Sequence, residues 1–214
     1  IGLALYPLDS MVIFPLMILG GIIGGILWAM IPAILKIRFN TNEILVSLML
    51  VYVAEQILAL ASVGFLRNPE GLGFPGSRDL SKYPSAANPE LIANSGIHMG
   101  VIFSIIAVIV LTYFLIYHRL GFQIKLLGQA PKASKFSGVN SNYIIIFCLG
   151  LSGGLAGVAG MFELTGPAGL INIDFNVGYG FTAIIVAFLG RLHPIGILFA
   201  GLLMSLTYVG GELA

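Results

Sequence analysis

The sequence predicts an all-α, polytopic membrane protein with about six transmembrane helices. Of its 214 residues, 58% are hydrophobic and only 9% are charged. Soluble domains carry roughly 25% charged residues, so this chain has too few to cover a water-facing surface. Its apolar runs are separated by short polar stretches, and a spanning helix needs about 20 apolar residues. The net charge of +1 gives no reason to expect nucleic acid as a partner.

Six apolar runs are the predicted spans. The first four are long enough for a full crossing and cover residues 11–35, 44–66, 97–117 and 143–162. The last two cover residues 178–190 and 195–208, and both are short. Two interpretations stay open for this last pair: tilted spans in a thin region of the bilayer, or broken helices that line a cavity.

Basic residues alternate between the two sides of these spans, which predicts their direction. The connections after the first, third and fifth spans hold Lys36, Arg38, Arg119, Lys125, Lys132, Lys135 and Arg191. The opposite connections hold only Arg67, Arg78 and Lys82. By the positive-inside rule the first set is cytoplasmic, and both ends of the chain are expected outside. Glu43 is the acidic exception on the cytoplasmic side. The outer connection over residues 67–95 is expected to be either an ordered cap or a flexible loop.

Glycines four residues apart are concentrated in the first and fourth spans. The pairs are Gly20/Gly24, Gly21/Gly25, Gly150/Gly154 and Gly153/Gly157. Such pairs flatten one side of a helix and let another backbone approach closely. We expect both helices to pack against protein, either as a static contact or as the sliding surface of a moving bundle.

The cytoplasmic connection over residues 118–142 is expected to contain a short helix. Pro131 suits the first position of a helix, where its missing N–H would be unpaired anyway, and Gly138 suits the left-handed turn that ends one. Between them, Ala133, Phe136 and Ser137 are available for packing. Lys132 and Lys135 are expected to face solvent. The helix is predicted to be either a connector on the membrane surface or a docking element for a soluble partner.

This connection resembles the cytoplasmic loop of ABC importer permeases, in the family that serves branched-chain amino acids, simple sugars and nucleosides. The family pattern Gly-x-Asn-Pro-x-Ala-Ala-x-x-x-Gly-Ile is matched here by residues 128–139, with Ala130, Ser134 and Val139 as departures. In that family the pattern forms the coupling helix that sits on the ATPase subunit. The resemblance therefore implies an ATPase-coupling role for Gly128, Pro131, Lys132, Ala133, Ser134, Lys135 and Gly138.

Residues 39–50 and 178–196 further resemble the nucleoside and simple-sugar branch, although Val51 replaces an Asn that often follows there. The resemblance implies spans beyond both ends, so residues 1–214 are expected to be the permease domain of a longer protein. It implies an importer in the bacterial cell (inner) membrane that works by alternating access. Its partners would be ABC ATPase subunits, a second permease subunit and an extracytoplasmic solute-binding protein. Expected solutes are nucleosides, then simple sugars, then branched-chain amino acids.

Polar residues within or beside the spans are the candidate pathway residues. Glu55 and Gln56 lie near the middle of the second span, where a carboxyl costs on the order of 2.5–3.5 kcal/mol and should face protein or a cavity. Glu55 is expected either to bind a hydroxyl-rich solute or to be a protonated structural acid. Asp174, Asn176 and Tyr179, at the outer mouth before the fifth span, are weaker candidates.

Two other classes of function are weighed against the permease. An ion-coupled secondary transporter would need inverted repeats, and no convincing repeat relates the first three spans to the last three. An intramembrane enzyme would need a catalytic cluster, and none is visible. No histidine pair has metal-ligand spacing, and no phosphate-binding Gly-x-x-x-x-Gly-Lys-Ser/Thr loop occurs. We therefore expect no cofactor in this chain, with ATP hydrolysed by a partner.

Overall fold

The computed structural model describes residues 10–69, 76–83, 86–88, 90–91 and 96–212. Within these residues the chain forms eight α-helices and no β-strand, which confirms the predicted all-α class. The helices are α1 Ser10–Phe39, α2 Glu43–Val63, α3 Met99–Tyr117, α4 Arg119–Gln129, α5 Pro131–Phe136, α6 Ser141–Thr165, α7 Tyr179–Leu189 and α8 Pro194–Glu212. Two 3₁₀ turns lie at Leu80–Lys82 and Ile173–Phe175.

Four helices of the described chain are long and apolar enough to cross a membrane. They are Val12–Phe39, Glu43–Val63, Met99–Tyr117 and Ser141–Thr165, which confirms that the four long predicted runs form helices of spanning length. Two shorter apolar stretches are α7, Tyr179–Leu189, and the part of α8 from Pro194 to Tyr208. With 11 residues, α7 is about 16 Å long and falls well short of a hydrocarbon core of about 30 Å. Its length favours the broken-helix interpretation over a tilted crossing.

The chain divides into two compact units. The first takes the described residues up to Gly100 together with Asn140–Phe175, and so contains α1, α2 and α6. The second takes Val101–Val139 and the described residues from Asn176 onward, and so contains most of α3 together with α4, α5, α7 and α8. Within this second unit α7 packs against α8, with Gly190 and Gly196 in close contact at the turn between them.

The principal contact of the first unit joins α1 to α6. A Cβ added to Gly25 would lie 2.8 Å from the carbonyl carbon of Gly153 and 3.1 Å from the Cα of Gly157. A Cβ added to Gly21 would lie 2.9 Å from the carbonyl oxygen of Gly157. Two of the predicted glycine pairs therefore face each other backbone to backbone, which confirms that both helices pack against protein. Gly24 instead has no neighbour within 4 Å of an added Cβ.

The turn from α1 to α2 is closed by an ion pair. Lys36 Nζ lies 2.7 Å from Glu43 Oε2, which explains why one acidic residue sits among the basic ones predicted on this side. Asn42 caps α2 by accepting the N–H of Ile44 on its Oδ1 at 3.0 Å. A short turn with a capped helix holds α2 beside α1.

Gly25→Ala is expected to destabilise the protein, whereas Gly24→Ala should leave it unchanged or slightly more stable. A methyl at position 25 overlaps the backbone of α6, and overpacking costs about 1–3 kcal/mol. A methyl at position 24 meets open space, and Ala is favoured over Gly within a helix by up to about 1 kcal/mol. Thermal midpoints of both variants, followed by size exclusion in one detergent, give the comparison. Equal midpoints would contradict the α1–α6 contact.

Candidate functional site

The predicted short helix between the third and fourth long spans is present as α5, with the predicted boundaries. Pro131 occupies its first position, and Gly138, at φ +74°, follows it in the left-handed conformation. The N–H of Val139 donates to the carbonyl of Ser134 at 3.1 Å, which closes the last turn. The Ser134 hydroxyl is fully buried and donates to the carbonyl of Pro131 at 2.8 Å. The sequence motif therefore folds as a rigid local unit.

The residues expected to be available for packing do not pack against the described part of this chain, and Lys132 and Lys135 are exposed as expected. Ala133, Phe136 and Ser137 are exposed, with Phe136 at 94%, and only Ser134 is buried within α5. A helix of six residues makes fewer than two turns. It can therefore turn a single side chain, that of Ser134, toward the rest of its own chain. The remaining residues of the motif face outward together: Gly128, Pro131, Lys132, Ala133, Lys135, Phe136 and Gly138.

The preceding helix α4 was not predicted. His118 caps it, since the Nδ1 atom of its ring accepts the N–H of Leu120 at 3.2 Å. Gly121 is buried, and an added Cβ would lie 2.7 Å from the Cα of Leu115 in α3. The helix α4 also packs against α5. The available sequence signal was the apolar spacing of Leu120, Ile124 and Leu127, which suits one face of a helix.

Glu55 and Gln56 lie at the centre of α2, as predicted. Glu55 is half-buried and Gln56 is exposed. Tyr52, one turn earlier, is exposed as well, so it lies on the same side of the helix as this pair. Together the three residues form a polar patch in the middle of a largely apolar span.

The weaker pathway candidates are divided between the two units. The 3₁₀ turn Ile173–Phe175 packs against α2 in the first unit, whereas the side chain of Asp174 lies outside the described residues. Asn176 and Tyr179 belong to the second unit and are exposed. Asn176 accepts the N–H of Gly178 at 3.2 Å, in the turn that leads into α7.

The described part of the connection over residues 67–95 forms a cap that is hydrogen-bonded to the segment after α6. Ser77 donates its N–H to the carbonyl of Ile171 at 2.8 Å and accepts the N–H of Ile171 on its hydroxyl at 2.9 Å. Leu80 donates to the carbonyl of Gly169 at 2.8 Å. Hydrogen bonds from the Ser81 hydroxyl and N–H, with the charge of Lys82, lower the pKa of Asp79 and keep its carboxylate on the turn.

Asn88 is a buried polar residue of this cap that the sequence did not single out. Its N–H donates to the carbonyl of Thr165 at the end of α6, at 2.9 Å. The side chain is 4% exposed, and its Nδ2 and Oδ1 atoms have no hydrogen-bond partner among the described residues. Buried amides are normally paired, so Asn88 stands out as a candidate contact for a polar molecule.

Comparison with known proteins gives a consistent result. A family model described as "Branched-chain amino acid transport system / permease component" matches residues 1–214. The chain is 31% identical to a glucose ABC transporter permease of Haloferax volcanii, over 96% of this chain and 56% of that protein. It is 28% identical to a nucleoside ABC transporter permease of Lactococcus lactis, over 98% of this chain and 59% of the relative.

A guanosine ABC transporter permease of Bacillus subtilis is 26% identical, over 92% of this chain and 56% of the relative. The chain thus spans somewhat more than half the length of each of these curated relatives. No solved structure matches it with significance.

Asn88→Leu is expected to raise the thermal midpoint of the detergent-purified protein. An unpaired buried polar group costs about 1–3 kcal/mol, and Leu has the same branched arrangement of side-chain heavy atoms without that cost. Asn88→Ala is the matched control for volume, and should fall below Asn88→Leu because it leaves a cavity. A fall in midpoint for Asn88→Leu would contradict the unpaired state, since it would mean that the amide is hydrogen-bonded in solution.

Proposed function

The chain belongs to the family of branched-chain amino acid transport system permease components, and on that basis we propose that it forms part of the permease subunit of an ABC importer. Residues 1–214 are the transmembrane permease domain, in a bacterial cell (inner) membrane. Four long apolar helices and a glycine-based contact between α1 and α6 are the structural support. The ABC permease relatives confirm the family predicted from the sequence.

Residues 118–142 are proposed to be the cytoplasmic coupling loop, with α5 as the element that docks on a separate ATPase subunit. The observation that carries this assignment is the exposure of α5, where a nearly fully exposed Phe136 stands beside Lys132 and Lys135. Aromatic side chains are enriched at protein interfaces and often act as their anchors. This favours the docking element over the surface connector, the two interpretations that the sequence left open for α5.

The contacts of the second unit supply a route for movement from α5 into the membrane. Ala130 is at once the C-cap of α4 and the N-cap of α5, so no flexible linker separates these helices. Gly121 of α4 lies directly against the last turns of α3. Closure of two ATPase subunits around ATP would therefore push α5, move α4 with it and displace the end of α3. Alternating access with a second permease subunit is the mechanism that we infer.

Nucleosides and simple sugars are the proposed solutes, delivered outside by an extracytoplasmic solute-binding protein. The support is the likeness to relatives named for glucose, nucleosides and guanosine. These solutes carry several hydroxyl groups, which the polar patch of Tyr52, Glu55 and Gln56 on α2 could bind. Branched-chain amino acids remain the alternative because the family description names them.

Phe136→Asp in the full permease should abolish the stimulation of the cognate ATPase after co-reconstitution. Loss of an aromatic anchor at an interface costs about 2 kcal/mol or more, which corresponds to at least about 30-fold weaker ATPase binding. Phe65→Asp is the matched control: Phe65 is also exposed, at 86%, but it follows α2 at the end predicted to lie outside. Unchanged binding and stimulation for Phe136→Asp would exclude the docking role.

Glu55→Leu should raise the apparent KM for uptake of labelled nucleoside or glucose at least about tenfold, because a charged hydrogen bond to the solute contributes roughly 1.5–3 kcal/mol. Glu55→Gln should recover part of the loss. Ser47→Leu, at another exposed polar position of α2, serves as the control. Normal apparent KM with a reduced yield of folded protein would instead identify Glu55 as a structural acid.

A further inference from the structure

The end of α3 defines the depth of the membrane surface. Its 19 residues extend about 28 Å, close to the hydrocarbon thickness of about 30 Å. Tyr113 and Tyr117 are both exposed in its last two turns, with ring centroids 5.1 Å apart. Exposed tyrosines are typical of the membrane–water interface, so this end of α3 lies at the level of the lipid headgroups.

The helix α4 begins at that same level and turns back against α3. Only His118 separates the two helices, and its ring stacks on Phe114 with centroids 4.9 Å apart. An added Cβ on Gly121 would lie 2.7 Å from the Cα of Leu115. Because Phe114 and Leu115 belong to the last turn of α3, the first turn of α4 is held beside them. It therefore lies at the membrane surface rather than projecting away from it.

The exposed face of α4 has the chemistry of a lipid-binding helix. Arg119, Phe122 and Lys125 are all exposed, Phe122 at 66%, and their spacing of three residues places them along one side of the helix. No acidic residue occurs between Glu90 and Glu163 in the sequence. The whole connection is therefore positive and attracts an anionic partner, while the exposed Phe122 suits an apolar environment.

We propose that this face of α4 binds anionic phospholipid headgroups in the leaflet where α3 ends. The guanidinium of Arg119 and the ammonium of Lys125 contact headgroup phosphates, and the ring of Phe122 inserts between the acyl chains below them. Amphipathic helices rich in basic residues bind membrane interfaces by this combination. On this proposal one face of α4 contacts lipid, while α5 stays free for a protein partner.

The first experiment measures retained lipid. The full permease and its Arg119→Gln/Lys125→Gln variant are purified from membranes containing phosphatidylglycerol, and bound lipid is counted by native mass spectrometry. Each basic residue near an anionic surface contributes about 1 kcal/mol, or about fivefold in affinity, so the variant should retain at least about fivefold less. Lys132→Gln/Lys135→Gln on α5 is the control with the same change of charge, and should retain as much as the unmodified protein.

The second experiment needs no charge substitution. Trp28 is the single tryptophan of these 214 residues, so Phe122→Trp reports on position 122 alone once Trp28 and every tryptophan of the full permease outside this segment are replaced by Phe. Brominated phosphatidylglycerol should quench its fluorescence more strongly than brominated phosphatidylcholine at equal bromine content. Equal quenching by both lipids, or equal lipid retention by the two charge variants, would overturn the proposal. So would loss of ATPase binding in the α4 variant with lipid retention unchanged, since the face would then belong to the ATPase.

Discussion

The first unit depends on a backbone contact between α1 and α6. In a bilayer the lipid tails are as apolar as leucine, so helices associate through close packing rather than through the hydrophobic effect. Glycines at positions 21, 25, 153 and 157 bring the two backbones together at the centre of the contact, with carbonyl groups against Cα atoms. The neighbouring elements contact these two helices. The Lys36–Glu43 ion pair joins α1 to the start of α2, and the cap is hydrogen-bonded to α6 and to the segment after it.

The contact between α1 and α6 also restricts how these two helices can move against each other. Gly157 contacts both Gly21 and Gly25, and Gly153 contacts Gly25, so a slide of one helix along the other would drive carbonyl oxygens into neighbouring Cα atoms. Of the two interpretations left open by the sequence, this geometry favours static packing. Movement during transport is then expected of α1 and α6 as one body. Displacement is easier for helices that have no such glycine contact and large exposed faces, as α3 and α8 do.

The sequence predicted those features that depend on local chemistry. Hydropathy located the four long spans to within a few residues, because burial in lipid selects apolar side chains over the whole length of a span. Pro131 and Gly138 located α5, because each residue has a backbone restriction that suits one end of a helix. The features that were missed depend on tertiary contacts. Asn88 is buried by a cap that is assembled from distant parts of the chain. The helix α4 contains Gly121 and Gly128, which weaken the helical signal of its sequence.

The role of Gly121 explains why a helix with two glycines forms there at all. Glycine within a helix costs roughly 1 kcal/mol relative to alanine, but at position 121 any side chain would collide with the backbone of α3. Only glycine fits at this tight corner, so it occurs there despite its low helix propensity. A corner closed by backbone contact, capped by His118 and joined to α5 through the single residue Ala130 has little internal freedom. On the proposal that residues 118–142 are the coupling loop, this corner is where a displacement of α5 would reach α3.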